Sequence, residues 1–597
     1  MKFSDFESLT AGDFLNVMKP LKRGRILKNY VDVAFDTEFY KVYGEINEKT
    51  GVREVKEQTC VSLQFAVSQD KKAIFFPLKP QITWEELLDY TLKFFKKHKI
   101  KVPPTASGKH HIFYIVFYGL AELSQIADFR DVETEIQLYS NKAVSTKRIV
   151  QRNDIEYVLN FIDLRGYFKG SLAKLAETVG MKKIEINVEG KTHKFWITHM
   201  LELYKKHKQK FIEYALPDVE ITIEVWNQLK NDALKSGLDP HCYRTLAGLA
   251  MAEFRLRMKN YPVKTRKIEE NFARKQNGEY KTRKRKRLVY DGDWNVRRFA
   301  CLSYAGGNNQ GFCRGYTRDL SAKFYDFVSL YITAAMIQPL PNEFTKWKEI
   351  SLKNVQDYEG FACVKFKFPA NEKYPCLPIQ LNILNKLMFP LEGESWCTFS
   401  ELRQALKQNV KIVDFKGYGF FPTENEIKHE LKPYFNELLK RKNVLKKSGK
   451  KGAEYATVKA KLVDIVGKLM PRSKKYSYKK IGRFIKKMQT PESFRKIAKT
   501  KVARQFYEYK GQVGSTWTPE WASLILGNAR ACANEVIHTP NANCLFISTD
   551  GGVWDAEPHF NKNPPPLLKK MMRIGGGIHP EGDGDGSVDE LWIARNR

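Results

Sequence analysis

Residues 323–331 have the sequence KFYDFVSLY, and the prediction of the fold starts from this stretch. Aromatic and β-branched residues on both sides of Asp326 favour a β-strand. A carboxylate inside an apolar strand costs free energy unless a cation or hydrogen bonds compensate for it. Ser329 is placed to cap a short helix over residues 332–336. Asp326 is therefore either a metal ligand or a structural carboxylate, and the remaining chain must distinguish the two.

The composition indicates a large folded protein with a nucleic-acid partner. The chain has 597 residues, of which 43% are hydrophobic and 13% aromatic, enough for several domains around a large buried core. Its formal net charge is +34, and the basic residues are spread along the chain. Nucleic acid is the polyanion that such a charge favours, because binding to phosphates releases counterions.

The sequence argues against several other classes. No apolar run approaches the roughly 20 residues of a membrane span, and the first residues lack the apolar core of a signal peptide. The nine cysteines are scattered without a C-x-x-C pair, so neither a disulfide framework nor a zinc site is expected. We expect a protein of the cytoplasm, which is the host cytoplasm if a virus or plasmid encodes it.

Two neighbouring carboxylates mark a candidate metal site in the first third of the chain. Asp36 and Glu38 lie in the apolar run 31–39 and, two residues apart on a strand, share one face. Such neighbours repel each other unless a divalent cation lies between them. Further apolar runs at 59–67 and 73–77 predict a sheet of the RNase H type. A solvated strand face is the alternative interpretation of the two acids.

Further acids follow along the chain. Glu122 comes after the apolar run 112–118, and Asp128 is the competing candidate for the same position. Tyr214 and Asp218 are four residues apart, so a helix places them on one face. There the tyrosine can orient a water that a metal-bound aspartate helps to activate.

The middle of the chain contains two candidate phosphate contacts. Residues 281–287 have the sequence KTRKRKR and predict a basic loop that is either solvated or in contact with phosphates. Tyr304, Gly306 and Gly307 form a Y-x-G-G motif, in which paired glycines allow close approach of the backbone to a phosphate. An ordinary turn is the alternative.

A lysine-rich helix is predicted around residues 459–467. Lys459, Val463, Val466 and Gly467 have the spacing of one helical face. A lysine that faces a triphosphate would neutralise charge on the leaving group. A solvated surface helix is the alternative.

The last part of the chain predicts a hairpin next to a buried helix. Residues 544–554 contain two apolar strands on either side of a T-D-G-G turn that includes Asp550. Residues 521–537 predict a helix that is apolar on most sides and therefore buried. Two more strands are predicted at 570–574 and 591–594.

Taken in order, these motifs resemble those of family B DNA polymerases of the organellar, viral and linear-plasmid type, which includes protein-primed bacteriophage polymerases. The motifs are D-x-E at 36–38, Y-x-x-x-D at 214–218, Y-x-G-G at 304–307, D-x-x-S-L-Y at 326–331, a Lys-to-Gly helix at 459–467 and T-D-G at 549–551. No single motif is specific, but the ordered set is, and it covers nearly the whole chain.

The sequence departs from the family pattern at three places. Glu122 stands where the second exonuclease motif has Asp. Val463 and Val466 replace the Asn and the Tyr of the fingers motif, so the tyrosine that stacks on the nucleotide is absent there. Ser548 replaces the first Asp of the palm motif D-T-D-S, whereas Asp550 matches the second, which is the metal ligand in the family.

The resemblance implies a multidomain protein of α+β and α/β class. An RNase H-like 3′–5′ exonuclease domain is followed by a palm-and-fingers polymerase domain. We expect a truncated palm without a thumb, and a downstream chain that supplies the thumb. The expected segments are the exonuclease domain at 1–240, a connecting helix and basic loop at 241–300, the Y-x-G-G linker and first part of the palm at 301–345, a palm insertion of the protein-primed type at 346–440, the fingers and following palm helix at 441–540, and a C-terminal palm hairpin at 541–597.

The resemblance also implies two active sites, each with two Mg²⁺ or Mn²⁺ ions. The implied catalytic and metal-binding residues are Asp326 and Asp550 at the polymerase site and Asp36, Glu38, Glu122, Asp218 and the water-orienting Tyr214 at the exonuclease site. The implied nucleotide-binding residues are Tyr331, which stacks under the incoming sugar, with Ser329, Leu330, Lys459 and Gly467. The implied DNA contacts are Tyr304, Gly306 and Gly307.

The function implied by the resemblance is template-dependent DNA synthesis with proofreading, which replicates a viral, plasmid or mobile-element genome. The implied partners are primer–template DNA, deoxynucleoside triphosphates and, where priming uses one, a terminal protein; no membrane partner is expected. Two alternatives remain, namely a degenerate relative that binds DNA and retains only the exonuclease, and a non-catalytic nucleic-acid-binding protein.

Overall fold

The computed structural model of the protein describes residues 15–47, 52–127, 137–138, 143–168, 170–276, 279–313, 315–316, 322–381, 386–448, 453–470, 472–473, 512–513, 516–538, 541–558, 560, 564–580 and 592–593. Among these residues, no helix is both long and apolar enough to cross a membrane. All nine cysteines lie in the described part of the chain and form no disulfide bond.

A seven-stranded mixed sheet forms the centre of the N-terminal unit. Its strands are β1 (Tyr30–Asn47), β2 (Val52–Ala66), β3 (Lys72–Phe75), β4 (His110–Val116), β5 (Gln137–Leu138), β6 (Val144–Arg152) and β7 (Ile155–Asp163), in the spatial order β3-β2-β1-β4-β7-β6-β5. Strand β4 is parallel to β1 and β7, and the other neighbouring pairs are antiparallel. The strands predicted around Asp36 and before Glu122 are β1 and β4, in a mixed sheet that agrees with the RNase H-type prediction.

The described part of this unit also contains six α-helices. They are α1 (Trp84–Lys97), α2 (Gly119–Leu123), α3 (Leu172–Thr178), α4 (His193–Trp196), α5 (Met200–Lys206) and α6 (Lys208–Lys235). Helix α1 begins with a capping box between Thr83 and Glu86 and buries residues at helical spacing, which include Trp84, Leu87 and Leu88. Helix α6 packs across β1 and β2, and this packing brings its first half over the D-x-E strand.

The connection to the C-terminal unit consists of helix α7 (Leu246–Arg257), a hairpin of β8 (Thr265–Gln276) and β9 (Glu279–Tyr290), and helix α8 (Trp294–Leu302). The prediction of a basic loop at 281–287 is wrong, because these residues lie in β9 and pair with β8. The intervening Asn277-Gly278 dipeptide favours a tight hairpin turn, and basic side chains are tolerated on strands that are open to solvent.

A five-stranded antiparallel sheet forms the centre of the C-terminal unit. Its strands are β10 (Asn309–Gly311), β12 (Lys323–Val328), β21 (Cys544–Ser548), β22 (Gly551–Trp554) and β23 (Gly577–Pro580), in the order β10-β21-β22-β12-β23. Side chains of α9 (Leu330–Ile337), α14 (Pro519–Ile537) and α15 (Pro566–Met572) share one core with this sheet. Helix α14 is buried on most sides, as predicted. The hairpin predicted around Asp550 is the β21–β22 pair.

An inserted unit and two long helices lie between the parts of this sheet. The insertion has a sheet in the order β13-β18-β14-β17, and the helices α12 and α13 follow it. The bounds are β13 (Lys348–Ile350), β14 (Glu359–Lys367), β17 (Glu392–Thr398), α10 (Phe399–Lys407), β18 (Lys411–Phe420), α11 (Glu424–Ile427), α12 (Leu431–Lys447) and α13 (Ala453–Gly467). Three two-stranded pairs complete the description, namely β11 (Gly315–Tyr316) with β24 (Trp592–Ile593), β15 (Ile379–Leu381) with β16 (Lys386–Met388), and β19 (Arg472–Ser473) with β20 (Gln512–Val513).

One continuous hydrophobic core joins the connecting helices to the C-terminal unit. It contains buried side chains of α7, α8, α9, α12, α13 and α14. The domain boundaries at 300/301 and 440/441 stay predictions, and α8 and α12 continue through these positions. Sequence composition does not change at these points, since each helix continues through them.

The strand predicted at 570–574 is also wrong. Pro566 occupies the first turn of α15, where its missing N–H leaves no hydrogen bond unmade, and Leu568 and Met571 are buried one turn apart. The strand predicted at 591–594 is described at Trp592–Ile593, where β24 pairs with β11.

Candidate active sites

Three carboxylates meet where α6 crosses β1. Asp36 and Glu38 are on one face of β1, and Asp218 is on α6. One oxygen from each carboxylate lies within 4.8 Å of the others. The structure therefore brings together three of the four acids predicted for the exonuclease metals.

The electrostatics of this cluster favour a cation. Burial and, after it, the negative charge of Asp218 raise the pKa of Asp36 to about 8. Burial and the charge of Asp36 hold the pKa of Glu38 well above its usual range. Burial also raises the pKa of Asp218, although Lys183 opposes the shift because its Nζ donates a hydrogen bond to Asp218 Oδ2 at 2.7 Å.

The residues present fit a hard divalent cation. Asp218 Oδ1 is buried and has no hydrogen-bond partner among the described residues, so it is an available ligand atom. Carboxylate oxygens are the ligands that Mg²⁺ and Mn²⁺ prefer. A cation would offset the mutual repulsion that raises the pKa values of the cluster.

Glu122 lies next to the cluster but is not a member of it. The side chain is buried on α2, and its Oε2 accepts a hydrogen bond from Thr37 Oγ1 at 2.6 Å. Burial, followed by the charge of Asp36, raises the pKa of Glu122 well above its usual range. Its role as a fourth ligand stays a prediction, and its competitor Asp128 lies outside the described residues.

Tyr214 lies one turn before Asp218 on α6 and is buried beside the carboxylates. Burial raises the pKa of its phenol, and the charges of Glu38, Asp218 and Asp36 contribute in that order. The ammonium group of Lys183 lies 5.6 Å from the centre of the Tyr214 ring. The hydroxyl is therefore part of the same polar site, as the helical spacing predicts.

Asp326 and Asp550 approach each other across the C-terminal sheet. Asp326 on β12 is the register partner of Gly551, the residue after Asp550. A Cβ atom at Gly551 would lie 3.4 Å from Asp326 Oδ1. The backbone N–H of Phe327 donates to the carbonyl oxygen of Asp550 at 2.6 Å, and this bond fixes the turn beside the strand. Asp550 itself is exposed to solvent.

Tyr331 lies against both the Y-x-G-G segment and the Asp550 turn. Burial raises the pKa of its phenol to about 12, and the charge of Asp550 is the next cause. A Cβ atom at Gly307 would lie 2.7 Å from Tyr331 Oη and 2.7 Å from Thr549 Cγ2. The site therefore has no room for a side chain at position 307. At position 306 there is room, because a Cβ atom there would meet nothing within 4 Å.

Arg530 on α14 holds the Y-x-G-G backbone in place. Its Nη1 donates to the carbonyl oxygens of Ala305 and Gly306 at 2.7 and 2.9 Å, and its Nε donates to Glu401 at 2.7 Å. The guanidinium is buried, so these bonds compensate for its desolvation. Tyr304 is partly buried and packs against the large core.

Ser329 does not cap α9 in the predicted manner. The helix begins at Leu330, and Ser329 adopts a left-handed conformation with a φ of 55° and no side-chain capping bond. Its hydroxyl is instead 3.4 Å from the ammonium group of Lys442, which is on α12. The left-handed residue turns the chain sharply between β12 and α9.

Lysines of α12 and α13 converge above this turn. Burial lowers the pKa of Lys442, and the positive charges of Lys459 and Lys446 lower it further. Lys459 is exposed on the same side of α13 as Val463, which is 56% exposed, and Gly467. Two residues further on, Lys461 is fully buried on the opposite side.

The comparisons with known proteins agree with this architecture. Residues 171–463 match the family described as DNA polymerase type B, organellar and viral. The chain is a relative of these type B DNA polymerases. The primer-independent DNA polymerase PolB of Escherichia coli is 28% identical over 261 residues, which are 41% of this chain and 28% of that protein. The match therefore spans less than a third of that relative's length.

Solved structures of phi29 DNA polymerase have the same fold. The orthorhombic crystal form superimposes with a TM-score of 0.55 at 11% identity and covers 90% of this chain and 82% of that chain. The complex of phi29 DNA polymerase with primer-template DNA and incoming nucleotide substrates has a TM-score of 0.53 at 10% identity, with the same coverage. At this level of identity the likeness concerns the fold alone.

Three residues of this polymerase relative contribute to the sites but were not found from the sequence. Lys183 pairs with Asp218, Lys442 reaches Ser329, and Arg530 holds the Y-x-G-G backbone. Lys183 and Lys442 stand in lysine-rich segments where no single lysine is distinctive. Arg530 was identifiable in principle, because it is the one basic residue in the mostly apolar sequence that forms α14.

Proposed function

We propose that the protein is a DNA-directed DNA polymerase with an associated 3′–5′ exonuclease. The observation that carries the proposal is the meeting of Asp326, the Asp550 turn, Tyr331 and Gly307 beneath the lysines of α12 and α13. Nucleotidyl transfer requires a carboxylate pair that binds metal, a side chain that supports the sugar, and cations that neutralise the phosphates.

Each group at the polymerase site has a distinct task. Asp326 and Asp550 would hold Mg²⁺ or Mn²⁺, which when bound activates the primer hydroxyl and stabilises charge on the phosphates. Tyr331 supports the sugar of the incoming nucleotide and excludes a 2′-hydroxyl. Lys442 and Lys459 neutralise the triphosphate, since the ammonium group of Lys442 lies 3.4 Å from the Ser329 hydroxyl and the charge of Lys459 acts on Lys442.

The exonuclease site divides its tasks similarly. Asp36, Glu38 and Asp218 would hold the metal, and Tyr214 orients the attacking water. Lys183 donates a hydrogen bond to Asp218, which favours the ionised form of that carboxyl, and is placed to hold a phosphate of the strand end. Glu122 and Thr37 form a buried pair that supports the D-x-E strand.

One labelled primer–template incubated with Mg²⁺ tests both activities. Asp326→Ala should reduce extension by about 10²–10³-fold, since it removes electrostatic stabilisation of the transition state, and should leave primer degradation intact. Asp36→Ala should stop primer degradation and leave extension intact. Full extension by the Asp326→Ala protein would show that the polymerase site is misplaced.

The second candidate is a degenerate polymerase relative that binds DNA and retains only the 3′–5′ exonuclease activity, and one observation favours it. Val463 and Val466 stand where the family has polar and aromatic fingers residues, and Val463 is exposed. Primer degradation by the wild-type protein without extension at any nucleotide concentration would support this alternative. Replication of a viral or plasmid genome and protein priming are parts of the first proposal, to be tested by adding a candidate terminal protein.

A further inference from the structure

The hairpin of β8 and β9, called the ribbon below, is a long two-stranded antiparallel structure. Its residue pairs run without a register shift from Thr265–Tyr290 to Gln276–Glu279. At about 3.4 Å per residue, each twelve-residue strand is about 40 Å long. An isolated two-stranded hairpin has little stability in water. A partner that covers a ribbon of this length would therefore stabilise it.

The base of the ribbon is firmly anchored. The N–H of Tyr290 donates to the carbonyl oxygen of Leu15 at 3.0 Å, and Arg266 Nε lies 3.0 Å from an oxygen of Asp291. Val17, Val263 and Tyr290 form a small buried core there. The rest of the ribbon therefore extends from a fixed position between the two units.

One face of the ribbon is exposed at each of its described side chains except Leu288, which packs against the base. Direct cross-strand partners lie on the same face, and the pairs Glu269–Lys286 and Asn271–Lys284 belong to this one. Lys286 Nζ is 3.8 Å from Glu269, so only one acid opposes the lysines there. The exposed residues of this face are Lys267, Glu269, Asn271, Thr282, Lys284 and Lys286.

The ribbon has a higher net positive charge per residue than the whole chain has. Residues 265–290 contain ten Lys and Arg residues against three Glu. Lysines that repel one another on a narrow ribbon destabilise the free protein, and a polyanion removes that repulsion. The spacing of the lysines also suits a nucleic-acid strand, because Lys284 and Lys286, two residues apart on one face, are separated by about 6.8 Å, which is the axial rise of about two phosphates along one DNA strand.

We infer that the ribbon binds duplex DNA through the phosphates that border a groove. A two-stranded ribbon fits the major groove of B-form DNA, which is about 12 Å wide. A single strand would require aromatic stacking surfaces, and none of the six exposed residues of the face is aromatic. A membrane would require an apolar face, which these six residues do not provide. This inference deepens the proposed function, since a polymerase must hold a duplex beside its active site.

The test is direct binding of the full-length protein to DNA in EDTA, where neither activity operates. The variant Lys267→Gln/Lys284→Gln/Lys286→Gln removes the three exposed lysines. The matched control is Lys71→Gln/Lys97→Gln/Lys101→Gln, which removes the same charge from exposed positions of the N-terminal unit. The probes are a 24-base-pair blunt duplex and its single strand, and fluorescence anisotropy is recorded at several salt concentrations between 50 and 200 mM.

The ribbon variant should bind the duplex about tenfold more weakly, and the slope of log K against log salt should become shallower by about 2 to 3. The control variant should retain the wild-type slope. An unchanged duplex slope in the ribbon variant would overturn the inference. So would an equal loss in the control, or a loss confined to the single strand, which would make the ribbon a contact for unpaired template.

A shortened ribbon provides an independent measurement. Deletion of residues 271–276 and 279–284 keeps the Asn277-Gly278 dipeptide and removes an even number of residue pairs, so the hydrogen-bonding phase is preserved. This variant should show the same loss of duplex affinity. Failure of the proposed function is separable, because an inactive wild-type protein would still display the salt-dependent difference between ribbon and control variants.

Discussion

At the scale of single residues, the two glycines of the Y-x-G-G motif have different surroundings. Gly307→Ala should lower the melting temperature and raise the KM for nucleotides, because its methyl group would collide with Tyr331 Oη and Thr549 Cγ2. We expect a cost of about 1–3 kcal/mol, as for other overpacked sites. Gly306→Ala is the matched control and should melt like the wild type. Equal melting temperatures for the two variants would contradict the close packing described for Gly307.

At the scale of elements, helix α13 presents two lysines with opposite roles. Lys461 is fully buried, and its Nζ lies 2.8 Å from Glu253 on α7 and 3.3 Å from Asp232 on α6. Lys461→Met should destabilise the protein by about 3 kcal/mol, because it removes the buried cation between two acids, which then keep only the arginine partners Arg441 and Arg257. Lys459→Met removes an exposed charge and should change stability by less than about 0.5 kcal/mol.

The same two variants should differ in the opposite sense in activity, because Lys459→Met should impair nucleotide use and Lys461→Met should not. Lys459→Met should raise the KM for nucleotides severalfold with little change in DNA affinity, since the charge of this lysine acts on Lys442, which contacts Ser329. Lys461→Met should retain the wild-type KM at a temperature where the protein is folded. A thermal melt and a nucleotide titration check both statements. A destabilised Lys459→Met protein would mean that the two lysines have been assigned to the wrong faces.

At the scale of the whole molecule, a buried charge network ties β1 to the segment that leads out of the N-terminal unit. His241 lies between Asp32 and Asp239, at 2.5 Å from an oxygen of each, and Lys230 also binds Asp32. Hydrogen bonds and the charges of these two acids raise the pKa of His241 despite its burial. The pKa values of Asp32 and Asp239 are lowered, since the bonds to His241 outweigh the opposing effect of burial.

The network should therefore stabilise the protein most between about pH 4 and 6.5. Its contribution is lost as pH rises through the raised pKa of His241, and it is lost at the acidic end as pH falls through the lowered pKa values of the aspartates. His241→Gln should cost about 3 kcal/mol near pH 6, and less as the pH approaches 9. Melting curves of both proteins from pH 5 to 9 check this. A difference that does not vary with pH would show that His241 is neutral in the folded protein.

The local patterns of the active sites were predictable from sequence, because they depend on the geometry of the backbone alone. The period of two along a strand places Asp36 and Glu38 on one face, and the period of 3.6 along a helix places Tyr214 next to Asp218. The T-D-G-G turn between apolar runs likewise specifies the hairpin that carries Asp550. The order of these motifs was sufficient to indicate the polymerase fold.

Only the tertiary structure decided which charged residues act together. Lys459 and Lys461 are two residues apart in one helix, and the packing of α13 against α6 and α7 buries one and exposes the other. Lys183 reaches Asp218, and Arg530 reaches the Y-x-G-G backbone, over distances in sequence that no local period encodes. The basic run in β9 is a strand because it pairs with β8. Contacts between distant segments depend on how whole elements pack, and the free energy of that packing is not a property of any single segment.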